Sequence, residues 1–168
     1  MNQPPLPSRR RWTLLAAGAA AAGACLFVLI LFSVSGRRAL DAESWAMAAA
    51  ATVASFVVGG LCWRLLILRP RQTDLWRGVI AGGLTGLLTH PPTWYLLSLI
   101  YFFTGARSSL GERTLHPLEA IPGSLILAAG SLLIVGWLSV PLGMAGGALF
   151  LLFYRRQLRR QSSSAKDA

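Results

Sequence analysis

The stretch GVIAGGLTGLLTHPPTWYLLSLIYFF, Gly78 to Phe103, decides the fold. It carries no Asp, Glu, Lys or Arg. As one helix it would extend about 39 Å at ~1.5 Å per residue. The hydrocarbon core of a bilayer is ~30 Å thick, so this run is long enough to cross it. Three more runs of the same kind accompany it: Thr13 to Val34, Trp45 to Leu68 and Gly123 to Tyr154.

The composition agrees. Hydrophobic residues make up 54% of the chain and charged residues 13%, against roughly 25% charged in soluble domains. The predicted class is an all-α integral membrane protein with four transmembrane helices. Its transmembrane domain covers residues 13–154. The polar segments 1–12 and 155–168 are predicted to be disordered basic tails.

The net charge of +10 excludes little by itself. A nucleic-acid surface needs basic residues clustered on a folded polar face. Here they sit in short segments between apolar runs, where they fit contact with anionic lipid headgroups. The charges are also unevenly divided. Arg9, Arg10 and Arg11 precede the first run, and Arg64, Arg69, Arg71 and Arg77 surround the second connection. Arg155, Arg156, Arg159, Arg160 and Lys166 follow the fourth run. Four spans place all of these on one face and leave Arg37, Arg38, Arg107 and Arg113 on the other. The positive-inside rule then puts both termini in the cytoplasm of a bacterial (inner) plasma membrane. Three or five spans would expose the C-terminal arginines outside.

Aromatic residues follow the same frame. Trp12, Trp63, Trp76 and Tyr154 fall near the inner interface, and Trp45, Tyr101, Phe102 and Phe103 near the outer one. Trp94 and Trp137 are deeper and are expected to pack between helices. The fourth run would reach about 48 Å as a straight helix. It is expected to be one helix kinked near Pro141.

Ser8 to Leu14 has the look of a twin-arginine export signal, and Ala22-Gly23-Ala24-Cys25 of a lipoprotein cleavage site. A processed signal should turn polar after its apolar core. Instead the run continues through Phe27 to Phe32, so an uncleaved first span is expected. Cys25 and Cys62 lack the spacing of a disulfide framework or a metal site.

Lipid tails are as apolar as leucine, so spanning helices associate by close approach of small residues and by hydrogen bonds. Gly78, Gly82 and Gly86 recur at one helical turn, as do Ser139, Gly143 and Gly147. Ala51, Ser55 and Gly59 repeat the spacing, and so do Ala16, Ala20 and Ala24. These Gly/Ala faces are the expected packing surfaces, within one chain or between chains. The bundle is expected to be tightest at its arginine-rich end.

The spans hold no deep Asp, Glu or Lys, which argues against a proton relay or a carboxylate-lined channel. One titratable group remains at depth, His90, followed by Pro91 and Pro92. It continues the glycine stripe. The prolines remove two backbone donors and free the carbonyls near Leu87 and Leu88. Thr89, His90 and Thr93 are candidate partners for them, with Ser139 at similar depth beside Pro141. This cluster reads either as a midplane site of the kind found at broken transporter helices or as a locally stabilised kink.

No phosphate loop, zinc-protease helix or nucleophile elbow is present. His116, Glu112 and Glu119 fall in the outer connection, where a shared metal with His90 is not expected. No enzyme activity, metal or cofactor is expected. The leading expectation is a non-enzymatic assembly or accessory membrane subunit, as a homo-oligomer or with a membrane protein partner. The alternative is a small transporter or channel with its site at His90.

Overall fold

A computed structural model of the chain describes residues 9–34, 42–70, 73–105 and 116–164. Helix α1 spans Arg9–Val34 and α2 spans Ala42–Trp63, followed by a π-helical turn at Arg64–Leu68. Helices α3 (Leu75–Leu88) and α4 (His90–Thr104) come next. Helix α5 (Ala120–Ser131), a second π-helical turn (Leu132–Gly136) and α6 (Trp137–Ser164) complete the chain. No strand occurs among the described residues.

Three helical stretches are long and apolar enough to cross a membrane: Arg9–Val34, Ala42–Leu68 and Ala120–Arg160. The run Gly78 to Phe103 is divided at Thr89, and neither half alone has that length. The division is slight. Thr89 keeps helical dihedrals, φ −75° and ψ −21°. Its amide donates to the Thr85 carbonyl at 3.2 Å, and the Thr93 amide donates to the Thr89 carbonyl at 3.1 Å. Pro91 and Pro92 fall in the first turn of α4, where the fixed φ of proline suits a helix start. The two prolines together thus coincide with one slight interruption of the helix.

Two other expectations are corrected. Residues Arg9 to Trp12 and Arg155 to Ser164 continue α1 and α6 rather than forming disordered tails. Extending an existing helix costs far less than nucleating one, and arginine is a good helix former. The irregularity of the last segment lies at Leu132–Gly136, while Pro141 sits inside α6. Pro141 lacks the amide that would meet the Trp137 carbonyl and must clear that oxygen. The wide turn immediately upstream is where the helix adapts. Arg37, Arg38, Arg71, Arg107, Ser108, Ser109, Glu112, Arg113 and Lys166 lie outside the described residues.

Helix α1 packs on α2, α3 on α6 and α4 on α5, while α2 also backs onto α3 and α4. Glycine sets the closest approach. A Cβ at Gly86 would lie 2.7 Å from the Ser139 carbonyl oxygen, and one at Gly78 would lie 2.9 Å from that of Gly147. One at Gly82 would run into the Gly143 backbone, and one at Gly147 into that of Gly78. The stripes on α3 and α6 thus face each other within one chain. A lesser seam joins α1 and α2, where Gly59 would meet Ala20 and Gly60 would meet Ala17.

Aromatic rings close the arginine-rich end. Trp12 meets Tyr154 edge-on at 4.7 Å between centroids, and Trp63 meets Phe150 at 4.8 Å. Both tryptophans are buried, with Ile67 and Leu151 beneath them. The Trp63 indole nitrogen is buried without a hydrogen-bond partner, and the edge-on rings beside it are its neighbours. Arg77 ties the α2–α3 connection. It donates to the Leu66 carbonyl at 3.4 Å, lies 3.8 Å from the Asp74 carboxylate and stacks 5.0 Å from the Trp76 ring.

Gly105 ends α4 with φ +66°. A left-handed residue with a Cβ costs ~1–2 kcal/mol, while no neighbour lies within 4 Å of a Cβ there. Gly105→Ala is therefore expected to destabilise the chain by about 1 kcal/mol in equilibrium unfolding. A neutral result would show that the chain relaxes out of this conformation.

Candidate functional site

Ser131 and Ser139 are eight positions apart on α5 and α6. In an uninterrupted α-helix, ~100° per residue would leave them about 80° apart around the axis. A π-turn takes up one extra residue, which reduces the separation to about 20°. The turn at Leu132–Gly136 therefore points both hydroxyls the same way, toward His90 at the start of α4.

The imidazole lies between them. His90 Nδ1 is 2.7 Å from Ser131 Oγ, and Nε2 is 3.1 Å from Ser139 Oγ. Trp94, one turn further along α4, donates its indole N–H to the same Ser131 oxygen at 3.0 Å. Ser131 donates to the Ala128 carbonyl at 2.9 Å. The proton inventory then closes for a neutral ring. With its own proton on Ala128, Ser131 Oγ accepts from both Trp94 and His90 Nδ1–H. Bare Nε2 accepts from Ser139. In this arrangement only Ser139 Oγ keeps free capacity, as two lone pairs.

The threonines act locally. The Thr89 hydroxyl donates to the Thr85 carbonyl at 2.8 Å, and that of Thr93 to the Thr89 carbonyl at 2.7 Å. Neither reaches the carbonyls of Leu87 or Leu88, and His90 turns to α5 and α6 instead. The assignment of these side chains to the proline-freed carbonyls is thus corrected. A hydroxyl one turn along its own helix is closer to its own i−4 carbonyl than to any other. Pro91, Pro92 and Pro141 make no side-chain hydrogen bonds. The prolines shape the two segments that hold His90 and Ser139.

Ser131 and Ser55 were not singled out in the sequence. Ser131 precedes a π-turn whose phase shift hides which face it occupies. Ser55 was visible only as a member of the α2 small-residue stripe. Trp94 packs between helices as expected. Trp137 does not: it is 72% exposed, and its indole N–H donates to the Ile134 carbonyl at 2.7 Å. That carbonyl belongs to the π-turn, which gives the indole a partner on the outer surface.

The cluster opens into a crevice of 910 Å³, near the upper end of the ~300–1,000 Å³ range of small-molecule sites. Helices α1 and α6 form its flanks, and α2 and α3 its back. Trp12, through its contacts with Phe150, Phe153 and Tyr154, joins α1 to α6 at the base. Along α1 the lining runs from Ala16 to Phe32, about 24 Å of helix. No Asp, Glu, Lys or Arg lines it.

No group of three His, Cys, Asp or Glu able to hold a metal occurs among the described residues. His116 is remote in role: its Nδ1 accepts the Leu118 amide at 3.4 Å in the turn before α5. Cys25 and Cys62 are free thiols. Comparison of the chain with models of known families, with curated proteins and with solved structures finds no match.

Proposed function

We propose that this chain is a four-span membrane protein with both termini in the cytoplasm, and that it transports a solute through a site at His90. In this topology α3 and α4 together make the third span. The 12-to-4 division of basic residues supports it through the positive-inside rule, with the arginines against anionic headgroups of the plasma membrane. Single cysteines at Ser8, Ser108 and Ser163, in a background with Cys25 and Cys62 replaced by Ala, test the parity. The Ser108 position is expected to react with an impermeant maleimide added to intact cells. Those at Ser8 and Ser163 react only after permeabilisation. Labelling of Ser163 from outside would break the four-span topology.

The observation that carries the transport reading is the imidazole held by Ser131 and Ser139 at the wall of a large crevice. Polar residues inside a membrane are expensive and tend to mark a pathway. Proteoliposomes loaded with a mixed extract of cellular small molecules provide the test, with efflux followed by mass spectrometry. At least one solute is expected to leave the wild-type vesicles about tenfold faster than vesicles carrying His90→Ala. Equal efflux of every solute would overturn the reading.

That second outcome would favour a non-enzymatic accessory subunit. Its support is the outer face of α5 and the π-turn, where Ile126, Leu133, Ile134 and Trp137 stand exposed and the glycine seams take no part.

A further inference from the structure

Helices α2 and α3 run antiparallel as consecutive helices across a short connection. A Cβ on Gly59 would touch Thr85 at 3.5 Å. One turn back along α2 and one turn forward along α3 therefore place Ser55 level with Thr89, beside His90. Ser55 is 5% exposed, and its hydroxyl makes no hydrogen bond among the described residues. It also lines the crevice. A buried hydroxyl in a helix ordinarily bonds its own i−4 carbonyl or another protein group. This one is left facing the cavity. Across the same cavity, Ser139 Oγ keeps two open lone pairs.

The crevice thus has one belt of polar groups at a single depth, made by Ser55 on α2, His90 on α4 and Ser139 on α6. Toward its aromatic base the lining is apolar or glycine, Ala16, Ala20, Leu149, Phe150 and Phe153 among it, apart from Trp63 and from Thr85, whose hydroxyl is spent on the Ala81 carbonyl. The belt offers donors and acceptors and no charge. An anionic or cationic head drawn to this depth would have no counter-ion and would pay heavily for desolvation. A neutral hydroxyl would complete both serines, accepting from Ser55 and donating to Ser139 Oγ.

We infer that the crevice binds a single-chain lipid with an uncharged oxygen head, the head at Ser55 and Ser139 and the chain in the gap between α1 and α6. This rests on the reading of His90 as a solute site and names the solute's class. The gap is open to such a chain because α1 and α6 are joined by rings only at the base. A Cβ on Gly59 would meet Ala20, which puts Ser55 level with Ala24, midway along this lining, so the groove offers the chain about 12 Å toward the base and about 12 Å the other way.

The test uses the full chain in phospholipid vesicles and two photoreactive probes. One is a long-chain alkyl alcohol with a diazirine in mid-chain; the other is the alkyl sulfate of the same chain. The alcohol is expected to label peptides covering Ala16–Phe32 and Leu142–Phe153 at least tenfold more than the sulfate does. Unlabelled alcohol should displace it, and unlabelled sulfate should not. The double variant Ser55→Ala, Ser139→Ala should lower alcohol labelling of those peptides about tenfold. The displacement experiment needs no variant, so it stands even if the double variant fails to fold.

Equal labelling by both probes would mean that ordinary bilayer chains fill the groove, and would overturn the inference. Absence of crevice labelling by the alcohol would overturn it too. In either event His90-dependent efflux, measured separately, decides whether the solute site itself survives.

Discussion

Replacing Gly82 with alanine is expected to cost about 3 kcal/mol, and replacing it with leucine to abolish the folded bundle. The added Cβ would occupy the place of the Gly143 carbonyl, with the Gly147 amide nitrogen 3.0 Å away. All of these are backbone atoms of α6. No rotamer change relieves the clash, so the helices must separate. Overpacking typically costs 1–3 kcal/mol, and a backbone-to-backbone seam sits at the upper end. Separation also loses the dispersion contacts along Gly78, Gly86 and Gly147, and in lipid no hydrophobic term compensates.

Gly146 provides the control. It neighbours Gly147 in sequence, yet nothing lies within 4 Å of a Cβ built on it. Gly146→Ala should be neutral or stabilising by up to about 1 kcal/mol, the intrinsic helix preference of alanine over glycine. Equilibrium unfolding of both variants in mixed micelles measures the contrast. Equal stabilities would show that α3 and α6 do not meet along this seam.

The second large effect is expected at Ser131. Its oxygen serves Trp94 and His90 together, so Ser131→Ala leaves two half-buried groups without partners. Unpaired buried groups cost ~1–3 kcal/mol each. Measured polar contacts inside membranes average ~0.6 kcal/mol and reach ~1.7, because the unfolded state in lipid finds other partners. The expected loss is about 2 kcal/mol for Ser131→Ala and about half that for Ser139→Ala, which orphans one imidazole nitrogen. The same unfolding measurement ranks the two. A smaller effect at Ser131 than at Ser139 would remove Ser131 from the centre of the network.

His90→Ala separates stability from function. It leaves a void, yet Ser131 can still serve Trp94 and Ala128. Its effect on folding should therefore be no larger than that of Ser131→Ala, while the proposed solute flux is lost.

The sequence by itself determined the membrane class, the small-residue seams and the place of His90 on the glycine stripe. Each is a matter of composition or of a fixed repeat. Four apolar runs leave few alternatives to helices in a bilayer, because backbone groups must be satisfied within their own segment. Glycines one turn apart must share a face. His90 belongs to the same stripe as Gly78, Gly82 and Gly86, so its meeting with α6 follows from theirs.

Tertiary structure alone decided which face met which. The α3 stripe could have served another chain as well as α6. A repeat shows that a groove exists and carries no address. It also decided the partners of His90. Ser139 was visible at similar depth, but Ser131 was not. A π-turn changes the rotational phase of everything after it, and Leu132 to Gly136 carries no residue that announces one. The prolines were legible and misleading. Pro91 and Pro92 sit harmlessly in a first helical turn, and Pro141 sits inside a helix already adjusted upstream. A proline fixes its own φ and removes one donor; where the helix absorbs that loss depends on the helices packed against it.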